Sequence, residues 1–197
     1  MKYKNIIIYG GTSEISLALI DIFESECEKL LIFCRSKENL ISKLKKKLNY
    51  NEIVGNTQIF ETDLIDLNKN LEIIKTFEKE ISGLIWVAGY TGDGISEYEN
   101  IIAVFTSVAG LRGRKKQFYY SSSKSGLISF LSALRQKLFK DQILVTTIIP
   151  GYMNTKPFRE GNWKSPGFLI SNPKKVALKL KNAIDNNKEI IYINYFW

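Results

Sequence analysis

The sequence predicts an α/β fold: a doubly wound parallel sheet of about seven strands, with helices on both faces in three layers. Two observations carry that expectation. Short apolar runs alternate with stretches of helical period along all 197 residues. Several of those runs are apolar without polar alternation, as strands buried on both faces are. One domain, residues 1–197, accounts for the length.

The first strand is expected over residues 5–9. Ile15, Ala18, Leu19, Ile22 and Phe23 then recur at helical spacing and mark a helix. A second strand over 30–34 leads to Ser36, which can cap a helix running through Lys43, Lys45, Lys46 and Lys47. That lysine run reads as a solvated helical face. Strands are expected at 57–60, 84–87 and 101–106. Leu127, Phe130, Leu131, Leu134 and Leu138 mark a long helix before a strand at 143–149. Val176, Leu180, Ala183 and Ile184 mark another after Pro173, a residue suited to a first helical turn. A last strand follows at 190–193.

One connection does not fit. Only 13 residues, 88–100, separate two of these strands, and they carry no helical stripe. A parallel crossover needs about a dozen residues or more and usually a helix. Either the connection is unusually reduced or a helix-bearing segment of the natural chain is missing near 100/101; the second is the expectation. The apolar ending YINYFW, directly after a strand, suggests a missing C-terminal tail as well.

The chain has 28 Lys and Arg against 20 Asp and Glu, a formal charge of +8. The cations are scattered and no aromatic-interleaved basic stripe is evident, so a nucleic-acid partner is not expected. There is no histidine. Ser-His-Asp hydrolysis, histidine acid/base chemistry and histidine-ligated metals are therefore excluded. Cys27 and Cys34 form no CxxC pair, and no metal site or disulfide framework is indicated. No run reaches the roughly 18 apolar residues a membrane span needs. The opening residues are too short an apolar core for a signal peptide, so a cytoplasmic protein without an integral membrane segment is expected.

Four strand ends carry candidate chemistry. After the first strand, Gly10-Gly11-Thr12-Ser13-Glu14-Ile15-Ser16 is a glycine turn opening a helix, which aims backbone N–H groups at a phosphate. It lacks G-x-G-x-x-G, so a plain tight turn is an equal reading. After the second strand comes Arg35 with no acidic residue beside it. An arginine there accommodates a ribose 2′-phosphate, where an acidic residue would hold a free ribose. A solvated arginine is the alternative. After the fifth strand comes Ser107, then Tyr120-Ser121-Ser122-Ser123-Lys124. Residues at i and i+4 share a helical face, so the Tyr120 hydroxyl and the Lys124 ammonium can serve one site. A tyrosine hydroxyl ordinarily titrates near 10, and a neighbouring cation lowers that value into a useful range. Tyr119 has Ser123 four residues on and gains no such partner. After the sixth strand, Pro150-Gly151 precedes Thr155; alone it reads as an ordinary turn. Ligands of such sheets bind outside the C-terminal strand ends, and all four segments fall on such ends.

Together these residues resemble the short-chain dehydrogenase/reductase family, through nearly the whole chain. Ser107-Val108-Ala109-Gly110 with Tyr120 and Lys124 resembles its catalytic segment, and Pro150–Thr155 the loop that holds the nicotinamide carboxamide. Asp63-Leu64 resembles the pair beside the adenine, and Ala88-Gly89 the end of the family's N-N-A-G. The resemblance implies a Rossmann-type fold, hydride transfer without metal, NADP(H) favoured over NAD(H), and a small carbonyl or alcohol substrate. It implies Tyr120 as general acid/base, Ser107 orienting the substrate oxygen, and Lys124 also holding the nicotinamide ribose. Gly10, Thr12, Ser13, Glu14, Ile15, Arg35, Asp63, Leu64, Ala88, Gly89, Pro150, Gly151 and Thr155 complete the implied cofactor site. A homodimer or homotetramer is implied too. Glu14 and Ser16 replace two family glycines, Trp86 and Val87 replace two asparagines, and no residue is assigned as the family's catalytic asparagine. The G-T-S-E-I turn and S-V-A-G-L-R-G-R run also resemble a keto-sugar reductase subgroup. Residues 156–172, with Phe158, Trp163 and Phe168, would close as an apolar lid or pack on the core. The competing reading is a catalytically quiet NAD(P)-binding sensor or scaffold.

Overall fold

The computed structural model describes residues 3–48, 55–63, 65–77, 80–87, 101–161 and 165–194. Leu64, Ala88, Gly89, Trp163 and the connection at 88–100 lie outside the described residues. The main sheet has seven strands in the order β3-β2-β1-β4-β5-β6-β9, with a separate two-stranded ladder of β7 and β8. This is the Rossmann-like α/β class the sequence predicts. The chain forms two compact units, residues 1–101 and 102–197. Among the described residues no helix is long and apolar enough to cross a membrane.

The first unit runs β1 (Tyr3–Tyr9), α1 (Glu14–Phe23), β2 (Cys27–Cys34), α2 (Lys37–Leu48), β3 (Thr57–Glu61), α3 (Leu67–Lys75) and β4 (Ile81–Trp86). Strand β1 pairs in parallel with both β2 and β4, and β2 with β3. Strands β1, β2 and β4 begin two to three residues before the expected apolar runs, because their first residues mix polar and apolar (Lys4 is exposed between buried Tyr3 and Asn5), while β3 begins at Thr57 as expected. At their C-terminal ends register sets Tyr9 beside Phe33 and Trp86, and Phe33 beside Phe60. The ring centroids lie 4.5, 4.7 and 5.1 Å apart, an aromatic ladder across four strands. Ile74 of α3 packs on it. Helix α3 is not predicted from the sequence; Asp66 caps it by accepting from Lys69 N–H, and buried Asn70 donates to the carbonyls of Asp63 and Asp66.

The second unit runs β5 (Ile101–Phe105), α4 (Phe118–Leu138), β6 (Leu144–Ile149), β7 (Tyr152–Met153), α5 (Lys156–Glu160), β8 (Ile170–Ser171), α6 (Pro173–Asp185) and β9 (Ile190–Tyr192). Helix α4 buries Ser121, Lys124, Leu127, Leu131, Leu134 and Leu138, one stripe at three- and four-residue spacing. Arg135 fixes α4 to the sheet, donating to the carbonyls of Val145 and Glu189 and to the Thr147 hydroxyl. Asn172 caps α6, with Pro173 in its first turn as expected.

Candidate active site

In the first unit the turn after β1 closes on itself. Gly10 adopts φ 84°, a left-handed conformation that favours glycine. Gly11 packs so closely that an added Cβ would lie 2.3 Å from the Ile32 side chain. The N–H groups of Gly10 and Gly11 both donate to the Phe33 carbonyl. Ser13 caps α1 by accepting from Ser16 N–H at 3.0 Å, and the Ser16 hydroxyl donates to the Gly10 carbonyl at 2.8 Å. Ser16 is fully buried, so the residue that replaces a family glycine stitches the turn to the helix. The N–H groups of Thr12 and Ile15, at the positive end of α1, donate to no group among the described residues. Lys43 of α2, read from the sequence as a solvated face, instead donates to the Thr12 carbonyl at 2.8 Å. The turn therefore carries a cation that spacing alone concealed, because nothing local in a lysine run marks which member reaches back across 31 residues.

Arg35 is exposed immediately after β2, and its side chain bonds to no group among the described residues. Beyond β3, Thr62 N–H donates to the Cys34 carbonyl, bringing Asp63 to the neighbouring strand end. The Asp63 carboxylate accepts from Ile65 N–H and is spent on its own turn. Ser36 caps α2 as expected, accepting from Asn39 N–H, while Glu61 accepts from Lys37 N–H at 2.7 Å.

In the second unit, Ser107 lies in extended backbone (φ −167°) and caps a 3-10 turn over Val108–Gly110. Its Oγ accepts from Ala109 N–H at 3.1 Å, which leaves the hydroxyl proton free to donate. Val108 N–H donates to the Pro150 carbonyl at 3.0 Å, so the Ser107 turn and the Pro150-Gly151 loop are tied together. Gly110 explains the glycine of S-V-A-G: a Cβ there would meet the Lys124 backbone at 2.7 and 2.9 Å. Its absence lets α4 settle against the turn and sinks Lys124. That lysine is 7% exposed and its Nζ donates to the Phe105 carbonyl at 3.3 Å. Burial holds its ammonium below its ordinary titration range. The same Nζ sits 5.9 Å from the centroid of the Tyr120 ring. Tyr120 stands in the first turn of α4, 47% exposed, whereas Tyr119 is 81% exposed and stacks on Phe118 at 4.2 Å. Beside Lys124, Ser121 is buried with an Oγ that has no hydrogen-bond partner among the described residues, a feature its spacing in the sequence does not mark.

After β6, Gly151 leads into β7, which pairs with β8 in parallel. Thr155 caps α5 from its backbone, and its hydroxyl donates to the Met153 carbonyl at 3.4 Å. Of the loop aromatics, Phe158 packs on Tyr152 with centroids 5.5 Å apart and Phe168 is 65% exposed. One therefore packs within the loop while the other faces solvent.

The family model described as short chain dehydrogenase matches residues 96–164, a span that contains Ser107, Tyr120, Lys124, Pro150, Gly151 and Thr155. An uncharacterized oxidoreductase of Mycobacterium tuberculosis is 33% identical over 92 residues, 47% of this chain and 36% of the relative. A 3-oxoacyl-[acyl-carrier-protein] reductase of Homo sapiens is 26% identical over 187 residues, covering 77% of this chain and 76% of the relative. Several curated oxidoreductases are matched over only 36% to 50% of their own length. The structure of a short chain dehydrogenase from Burkholderia cenocepacia in complex with NADP has a TM-score of 0.79 at 14% identity, covering 99% of this chain and 90% of that one. The matched segment bears the serine, tyrosine and lysine on a Rossmann-like fold, and over those residues the chain is similar to the short chain dehydrogenase family.

Proposed function

We propose that this chain is an NADP(H)-dependent oxidoreductase interconverting a carbonyl and a hydroxyl carbon, with Tyr120 as general acid/base. The observation that carries the reading is Lys124: a buried ammonium with a single acceptor among the described residues, on the helical face of Tyr120 and one turn beyond it. Burying a charge is costly and is retained where function uses it. Tyr120 releases its proton to a substrate oxygen in reduction and takes it back in oxidation, with the Lys124 ammonium beside its ring. Ser107, its acceptor side occupied by Ala109 N–H, donates to that same oxygen and orients it. The cofactor, when bound, supplies or accepts the hydride.

The residues assigned to the cofactor fit it chemically. Thr12 and Ile15 offer unpaired N–H groups to a phosphate, Lys43 adds positive charge at that turn, and exposed Arg35 suits a 2′-phosphate. A solved family fold carries NADP, in keeping with that assignment. Gly10, Ser13, Glu14, Ile15, Asp63 and Leu64 belong to the same adenosine end; Pro150, Gly151, Thr155, Lys124, Ala88 and Gly89 belong to the nicotinamide end. The substrate class is a small ketone or alcohol, with keto sugars and 3-oxoacyl thioesters the first to try. A cytoplasmic homodimer or homotetramer belongs to the same reading.

The test is NADPH oxidation across a panel of keto sugars, 3-oxoacyl thioesters and simple ketones, with Tyr120→Phe as control. Full turnover by that variant on a substrate the wild type reduces would remove Tyr120 from its role. The second reading, a quiet NAD(P)-binding sensor, draws on Glu14, a carboxylate at the helix end where the family has glycine. It requires cofactor binding with no turnover on any of the panel.

A further inference from the structure

The chain's positive charge is not evenly spread. Residues 101–140 contain eight of the 28 cations and not one Asp or Glu; the remaining 20 cations and all 20 carboxylates lie elsewhere and balance. The whole formal excess of +8 therefore sits in the segment that carries Ser107, Tyr120 and Lys124. Its densest part is the link between the 3-10 turn and α4. There Arg112, Arg114, Lys115 and Lys116 fall within five residues, all exposed, their side chains bonded to no group among the described residues. Two exposed rings follow at once, Phe118 and Tyr119 in mutual contact. Four like charges in five residues repel one another and together attract a counter-charge.

We propose that Arg112, Arg114, Lys115 and Lys116 form an anion subsite that takes a phosphate- or pyrophosphate-bearing end of the substrate. The inference rests on the reductase reading and narrows its substrate to phosphorylated carbonyl compounds. Lys116 stands four positions before Tyr120 and Arg112 eight, so the chain keeps Lys116, the nearest of the four cations, within about 14 Å of the residue that handles the proton, on the ~3.5 Å that each residue spans at most. That is the reach of a sugar ring and a pyrophosphate. Arginine forks pair bidentately with phosphate oxygens, and the lysines add point charge. Phe118 and Tyr119 offer an apolar surface beside those oxygens, suited to the ring or chain that the phosphate joins. A bare ketone would use none of these groups.

The experiment measures inorganic pyrophosphate binding by calorimetry to the full chain loaded with NADPH, and the same to the unloaded chain. Wild type is compared with Arg112→Gln/Arg114→Gln/Lys115→Gln/Lys116→Gln and with Lys174→Gln/Lys175→Gln, which removes two exposed charges from α6. The expected result is binding by the wild type and the α6 variant and a loss of tenfold or more in the fourfold variant. NADPH affinity should stay within twofold throughout. Absence of wild-type binding, or equal loss in the α6 variant, overturns the proposal. So does a parallel tenfold loss of NADPH affinity, which would make the segment part of the cofactor site. A single-stranded oligonucleotide that displaces pyrophosphate at far lower concentration overturns it too, in favour of a nucleic-acid surface. Failure of NADPH to bind at all is a separate outcome: it sinks the reductase reading, while the unloaded chain still reports on the subsite.

Discussion

At the scale of single residues, Lys124 is where stability and chemistry pull apart. It is buried, its Nζ has one acceptor among the described residues, and desolvation lowers its pKa. A lysine with a depressed folded-state pKa binds fewer protons folded than unfolded, so stability rises with pH across that window. The cost is full below the folded value and fades as pH approaches the ordinary 10.5. Lys124→Met should therefore gain about 1 kcal/mol at pH 7, since an apolar group of similar size avoids the desolvation. The gain should shrink as pH rises toward 10.5. Turnover should meanwhile fall by about 100-fold or more, the usual contribution of a positioned proton-transfer group. Denaturation midpoints at pH 7 and pH 10, read beside NADPH oxidation, check both halves; a destabilised variant at pH 7 would mean that the Phe105 bond outweighs burial. Tyr120, Lys124 and Ser107 were legible in the sequence because helical spacing and strand ends are local properties. Lys43 and Ser121 were not, because reaching the Thr12 carbonyl or losing every partner depends on packing between distant segments.

At the scale of elements, the approach of α4 to the 3-10 turn is set by Gly110. A methyl there meets backbone rather than a flexible side chain, so the helix must shift. Gly110→Ala should cost about 2 kcal/mol, the range for overpacking a tight contact. It should also cut turnover, because displacing α4 moves Lys124 and Tyr120 together; a variant with wild-type stability would disprove the contact. The turn after β1 gives a milder case. Ser13→Ala removes the cap on α1 and should cost about 1 kcal/mol, measured by denaturant unfolding, with NADPH affinity falling as the helix end frays. Elements followed the same divide in legibility. The apolar cores of β1, β2 and β6 announced themselves, while α3 hid because its nine residues place polar Asn70 on the buried face. Strands β7 and β8, two residues each, are too short for any periodicity.

For the molecule as a whole, cofactor binding is linked to unfolding by mass action. A ligand at 100 times its Kd that binds only the native state adds about 2.7 kcal/mol. For a chain of this size each kcal/mol moves Tm by about 2–4 °C, so NADPH at that excess should raise it by about 5–10 °C. Exposed Arg35 is assigned to the 2′-phosphate, the one group that NADPH has and NADH lacks, so NADH at the same concentration should raise Tm measurably less. Arg35→Ala should erase that difference by lowering the NADPH shift while leaving the NADH shift and the unliganded Tm unchanged, since the side chain supports nothing else among the described residues. Thermal scans of both proteins with each cofactor read this directly, and they do so without a known substrate. Equal shifts in the wild type would remove Arg35 from the cofactor assignment. Larger NADPH shifts in the wild type alone would tie the preference for the phosphorylated cofactor to that one strand end.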